Sequence, residues 1–193
     1  MLRRVLGLLR TGLLSVALVA ALAAPAWSTA DLDALRTDAR SGSADAQLAL
    51  GTFLLDSNDD TLAAEGIGWL EKAARQGVPV YVLLGDLYRD GIGAEQDYTR
   101  AADWYRIAAE LGDGLAQYEL GRLYLDGDGV DRDMVQAVLY LQLAVHRIHD
   151  PDLREEADEE LKRAKWWTSW EEWKKAKALI DNWQPKALPD LLN

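Results

Sequence analysis

Apolar residues recur along the chain at helical rather than strand intervals. Val80, Leu84, Leu87 and Tyr88 form one stripe, which predicts a helix over Val80–Arg89. Asp90-Gly91-Ile92-Gly93 ends it, because glycine tolerates the left-handed conformation just past a helix C-terminus. Asp97 is placed to cap a second helix, where its carboxylate can accept from the free N–H groups of the first turn. That helix is predicted over Tyr98–Leu111, with Ala101, Trp104, Tyr105, Ala108 and Ala109 inward and Gly112 as its stop. The same plan returns 36 positions on, where Gly85 becomes Gly121. Ala116, Leu120, Gly121, Leu123 and Tyr124 make the first helix, Gly127 and Gly129 the turn, and Asp133 the cap. Ala137, Tyr140, Leu141 and Ala144 make the second helix. A fixed period of this size marks stacked helical hairpins.

An eroded copy precedes these two. Ala46, Leu50, Gly51 and Leu54 match the first helix, and Trp69, Leu70, Ala73, Ala74 and Gly77 the second. Asp56-Ser57-Asn58-Asp59-Asp60 stands where the two-glycine turn should be, and terminal repeats are often atypical because one face meets water. Asp31–Arg40 predicts a short leading helix. Pro151–Lys165 runs from acids to bases, the order that complements a helix dipole. Ser169 and Glu172 then form a capping-box pattern before a last helix that ends near Asp181. Gly85 and Gly121 lie inside predicted helices, where glycine costs about 1 kcal/mol against alanine. Their recurrence predicts the close passage of a neighbouring backbone.

At Gly85–Ala109 and again at Gly121–Ala144 the chain resembles the Sel1-like repeat family. The shared pattern is L-G-x-L-Y-x-x-G-x-G, then Asp, Ala, a Trp or Tyr, and Ala. The Trp183-Gln184-Pro185 ending is also similar to that of Sel1 chains. The resemblance implies an all-α fold, a right-handed α-solenoid of helix-turn-helix repeats with helical caps. The domain would span 31–193, with repeats at about 46–77, 80–112 and 116–149 and capping helices over 151–183. It implies scaffold or adaptor work without a catalytic centre and without a cofactor, and it transfers no fixed contact residue. Exported relatives serve as periplasmic regulators, as parts of envelope machines, or as immunity proteins against secreted toxins. A cysteine-stapled branch exists, and this chain, with no Cys, departs from it.

The first 26 residues change the picture of where the chain works. Arg3, Arg4 and Arg10 precede a run of mainly apolar residues over Leu13–Ala24, and Ala24-Pro25-Ala26 is a small-x-small cleavage site. A cleaved signal peptide over 1–26 and a periplasmic location are therefore expected. The formal net charge is −11, and removing three arginines and no acid with that segment leaves −14. Such an acid excess argues against nucleic acid, which needs clustered Lys and Arg.

Candidate binding positions follow from the helical wheel. First-helix residues that point away from the core stripe are Leu48, Thr52 and Leu55; Val82, Leu83, Asp86 and Arg89; and Tyr118, Glu119, Arg122 and Leu125. Apolar centres with alternating charges suit a peptide or helix of a protein partner in the envelope. Five of the 8 Trp gather at the end, as Trp166, Trp167, Trp170, Trp173 and Trp183, and are expected mainly as a lid on the last repeat. Lys162, Arg163, Lys165, Lys174, Lys175 and Lys177 beside them keep a membrane surface as an alternative, but contact with one is not expected, because Glu171, Glu172 and the acidic bulk oppose it. Asp126–Asp133 has acids at calcium-loop spacing, but Val130, Asp131 and Ala137 occupy the fifth, sixth and twelfth positions, so it reads as a repeat turn. His146 and His149, three apart, are expected as helix-end dipole partners and not as metal ligands. No G-x-S-x-G, H-E-x-x-H or G-x-x-x-x-G-K-[ST] pattern occurs, so no catalytic residue is expected. The leading expectation is an exported scaffold or regulator, and the alternative is an immunity protein that blocks a secreted toxin such as a lipase.

Overall fold

A computed structural model describes residues 29–57, 59–188 and 191. The expected signal peptide, 1–26, lies outside them. Among the described residues all regular structure is helical: α1 (Thr29–Arg40), α2 (Ala44–Leu55), α3 (Asp60–Arg75), α4 (Tyr81–Asp90), α5 (Tyr98–Leu111), α6 (Gly114–Asp126), α7 (Met134–Arg147), α8 (Pro151–Trp167) and α9 (Trp170–Asn182). Two compact units divide it. The first runs to Leu87 and includes Gly91–Glu95, and the second holds Tyr88–Asp90 and everything from Gln96.

In the first unit α1 packs on α2 and α2 on α3. Ala39, Ala46, Leu50, Leu54 and Trp69 form a buried cluster, with Leu35 and Leu62 at its rim. The α2–α3 crossing is made by two glycines. A Cβ on Gly51 would lie 2.9 Å from the Gly66 carbonyl oxygen, and one on Gly66 would lie 2.8 Å from that of Gly51. Backbone therefore touches backbone, which any side chain would prevent. Ser43 and Asp59 cap α2 and α3 by accepting backbone N–H groups.

In the second unit α6 packs on α5 and α7, and α8 and α9 both pack on α7. Val138, Leu141, Ala144, Ala157, Leu161, Ala164 and Ala176 lie in one buried cluster there. A Cβ on Gly121 would stand 2.8 Å from Leu141 Cγ and 3.1 Å from the Leu141 nitrogen, which explains the glycine predicted inside α6. Gly127, at φ +82°, ends α6, and Asp133 accepts from Val135 N and Gln136 N to start α7. Asp97 caps α5 through Arg100 N. Between α8 and α9 the helix breaks at Thr168, and Ser169 and Glu172 complete the capping box. The tail then returns: Lys186 N–H donates to Glu110 O at 2.8 Å, and Trp183 and Pro185 rest 3.6 and 3.7 Å from the Cβ position of Gly112.

One polar contact recurs in every repeat. Near the start of each first helix a buried side chain donates to a carbonyl at the end of the preceding helix. Gln47 Nε2 reaches Ala39 O at 3.1 Å, Tyr81 OH reaches Ala74 O at 3.2 Å, and Gln117 Nε2 reaches Ala109 O at 3.0 Å. These side chains satisfy carbonyls that a helix end leaves without an intrahelical donor.

Candidate partner-binding surface

The eight leading candidates fall into the two units. Leu48, Thr52, Val82 and Asp86 belong to the first, and Arg89, Tyr118, Glu119 and Arg122 to the second. Leu48, Thr52 and Val82 are half-buried. The Thr52 hydroxyl donates to Leu48 O at 2.9 Å and is thereby turned inward to its own helix. Asp86 is only 6 % exposed, so it does not line an open surface as the wheel implied.

The structure brings Arg89, Glu119 and Arg122 into one row. Glu119 has a side chain only 12 % exposed, and its two oxygens meet Arg89 Nη1 at 3.2 Å and Arg122 Nη1 at 3.5 Å. Arg89 is braced further: Nη1 donates to Tyr105 OH at 3.0 Å, and Nε donates to Asp90 at 2.8 Å. Arg89 is thus held on several sides, whereas Arg122, among the described residues, pairs only with Glu119, at 3.5 Å. Tyr118 departs from expectation. It is 6 % exposed, in the cluster that includes Ala157 and Leu161 of α8, and burial pushes its phenol pKa up. Leu125 is buried in the same cluster. The wheel turned Tyr118 and Leu125 away from the hairpin core, and there they pack in the cluster that α8 shares.

A second polar network escaped the sequence reading. Tyr124 and Tyr140 stack with centroids 6.0 Å apart and planes 4° from parallel. Tyr140 OH donates to Glu110 Oε1 at 2.6 Å, and Lys186 Nζ meets Glu110 Oε2 at 2.9 Å. Burial, with Glu110 beside it, holds the Tyr140 phenol protonated far above its usual range. Tyr140 itself was legible as a repeat position. Lys186 was not, since nothing in the pattern announces that the tail folds back.

Two smaller expectations change. The Trp cluster is a lid only in part: Trp173 packs on the core, whereas Trp166, Trp167 and Trp170 stand in solvent. The break at Thr168 also prevents Trp166, Trp170 and Trp173 from sharing one helix face. His149 lies beyond the end of α7, so the two histidines do not sit together on a helix. Asp126 of the acidic turn is taken by Arg163, at 2.6 Å. Among the described residues no group of three or more His, Cys, Asp or Glu could hold a metal ion, and no helix is long and apolar enough to cross a membrane.

Helical hairpins repeated in register, with small residues at their crossings, define the class: an all-α helical-repeat protein. Sel1 repeats match at residues 44–78, 80–113 and 114–147, more than half of the chain, and the chain belongs to the Sel1 repeat family. Such repeats generally mediate protein–protein binding. The fold is similar to that of c5321, a protective antigen of uropathogenic Escherichia coli displaying an SLR fold. The TM-score is 0.64 at 28% identity, over 84% of this chain and 34% of that one. It is also similar to a Sel1 repeat protein from Oxalobacter formigenes, at TM-score 0.54 and 34% identity, over 69% of this chain and 98% of that one. The chain thus spans about a third of the length of the antigen. No curated protein matches it.

Proposed function

We propose that this chain is a non-catalytic interaction protein, exported to the bacterial envelope, whose first-helix faces hold a protein partner as a scaffold or regulator. The observation that carries the reading is the braced row Arg89–Glu119–Arg122, a fixed charge pattern on a fold whose relatives generally bind proteins. Export is supported by the basic start, the apolar run and Ala24-Pro25-Ala26.

The test is an affinity capture from envelope extract at low salt, with wild type and Arg122→Glu. Arg122 has a side chain 41% exposed. Its replacement should reduce capture of the wild-type partner about tenfold or more, with a thermal melt of the variant read alongside because Arg122 is only partly in solvent and faces Glu119. Unaltered capture would reject this surface. A captured toxin whose activity falls on binding would assign the inhibitor role in place of the scaffold role. N-terminal sequencing of periplasmic protein should begin just after Ala26, and an intact Met1 in that fraction would reject cleavage.

A further inference from the structure

Residues 183–187, just past α9, do not leave the molecule. They run without regular structure past the ends of α5 and α7. Trp183, at φ −69° and ψ 133°, enters the stretch in the polyproline conformation, and Pro185 fixes a similar φ two residues on. An extended segment, and not a helix face, therefore meets the repeats here.

Each point of attachment has a matching group. Arg147 Cζ lies 4.3 Å from the Trp183 ring centroid. Trp183 and Pro185 both rest on Gly112, 3.6 and 3.7 Å from where a Cβ would stand. Lys186 is held twice: its N–H donates to Glu110 O at 2.8 Å, and its Nζ meets Glu110 Oε2 at 2.9 Å. Tyr140 OH donates to the other Glu110 oxygen at 2.6 Å. The carboxylate, with a side chain 13% exposed, is thus aimed by α7 before any ammonium arrives. This contact is also lighter than that of the core. Among the described residues one backbone hydrogen bond ties the segment to the repeats, and Gln184, Pro185 and Lys186 remain exposed. Trp183 Nε1 is enclosed and meets no acceptor in the chain, an unfavourable state for a donor.

We propose that Arg147, Gly112 and Glu110 form a peptide site, which the chain's own residues 183–187 fill until a partner protein presents an extended segment of the same chemistry. That segment carries an aromatic ring, a proline two residues on, and a Lys or Arg directly after it. The ring answers to the Arg147 guanidinium and the base to the Glu110 carboxylate. The proline holds the segment extended in advance, so little conformational freedom is lost on docking. The site extends the interaction role proposed above to a second surface. Its test needs neither Arg122 nor an envelope extract, so the two readings can fail separately.

The probe is a fluorescein-labelled peptide of residues 180–188, titrated into full-length chains and read by anisotropy. The chain carrying Trp183→Ala and Lys186→Glu has its tail released. The peptide should bind that chain about tenfold or more tightly than it binds wild type, where the tethered segment competes at high effective concentration. Peptides that themselves carry Trp183→Ala or Lys186→Glu should bind the released chain about tenfold more weakly. Far-ultraviolet circular dichroism checks that the released chain keeps its helices. No binding of the unaltered peptide to that helical chain would overturn the proposal. If the released chain loses its helices, wild type decides: excess unlabelled peptide should raise amide exchange over 183–187 and leave α6 and α7 unchanged. Unchanged exchange throughout would overturn the proposal. A concentration-dependent dimer of wild type, abolished by the same two substitutions, would give the site to the tail of a second copy and overturn the reading of a foreign partner.

Discussion

The first and third repeats fold to the same hairpin and close it differently. In the third, Gly127 at φ +82° ends α6, and Gly129 at φ +67° follows. A Cβ on Gly129 would lie 2.2 Å from the Tyr98 carbonyl carbon, at the first residue of α5, and the Thr99 hydroxyl donates to Gly129 O at 3.2 Å. The second repeat repeats the contact. A Cβ on Gly93 would lie 2.8 Å from the carbonyl carbon of Ala63, in the opening turn of α3. In the first repeat Asp56, in the right-handed helical conformation, ends α2, and Asp59 caps α3 without either glycine. Among the described residues only α1 precedes that repeat. The second glycine is thus a seat for the second helix of the preceding hairpin, and among the described residues the first repeat makes no such contact.

The comparison can be broken most severely at Gly129. Gly129→Ala adds a Cβ against backbone and asks a non-glycine residue to hold a left-handed conformation. We expect a loss of about 3 kcal/mol or more, which thermal melting would read as a fall on the order of 10 °C. A melting point within a degree or so of wild type would show that the seat is soft.

Gly121→Leu tests the crossing inside the third hairpin. Overpacking against Leu141 should cost roughly 1–3 kcal/mol. The control is Gly68→Ala in α3, where a Cβ meets nothing within 4 Å and better helix propensity should raise stability by about 0.5–1 kcal/mol. If both substitutions stabilise equally in denaturant titrations, helix propensity and not close approach governs these glycines.

The smallest effect is expected at Tyr140, which has Trp69 and not another tyrosine at the matching place in the first repeat. Tyr140→Phe removes the bond to Glu110 and should cost about 1 kcal/mol near neutral pH. The sign of the pH dependence follows from the raised phenol pKa. The unfolded chain ionises this group near about 10 and the folded chain well above that. The contribution is therefore complete below about pH 10 and is lost as pH rises beyond it. Chemical denaturation across alkaline pH should show a shallower decline for the variant, and identical slopes would assign the decline to other groups.

Much of this architecture was legible. Tyr98–Leu111 was read to the residue, because Asp97 and Gly112 are local signals whose physics acts within one turn. Gly91 and Gly127 were likewise readable as helix stops. Gly93 and Gly129 were readable as turn residues but not as seats, because that contact lies with a helix more than two dozen residues away. The candidate surface was legible only as a set of wheel positions. A helical wheel reports where Tyr118 and Asp86 point and says nothing of what covers them. Tyr118 is sealed beneath α8, a helix whose own sequence gives no sign of which neighbour it chooses.

The returning tail has a mechanical consequence. Because Lys186 grips Glu110 through both its amide and its ammonium group, α6 to α9 lie within a noose of chain drawn shut at α5. A pull on the C-terminus would load α5 before it could peel α9, so the last helices are shielded from unravelling until that knot slips.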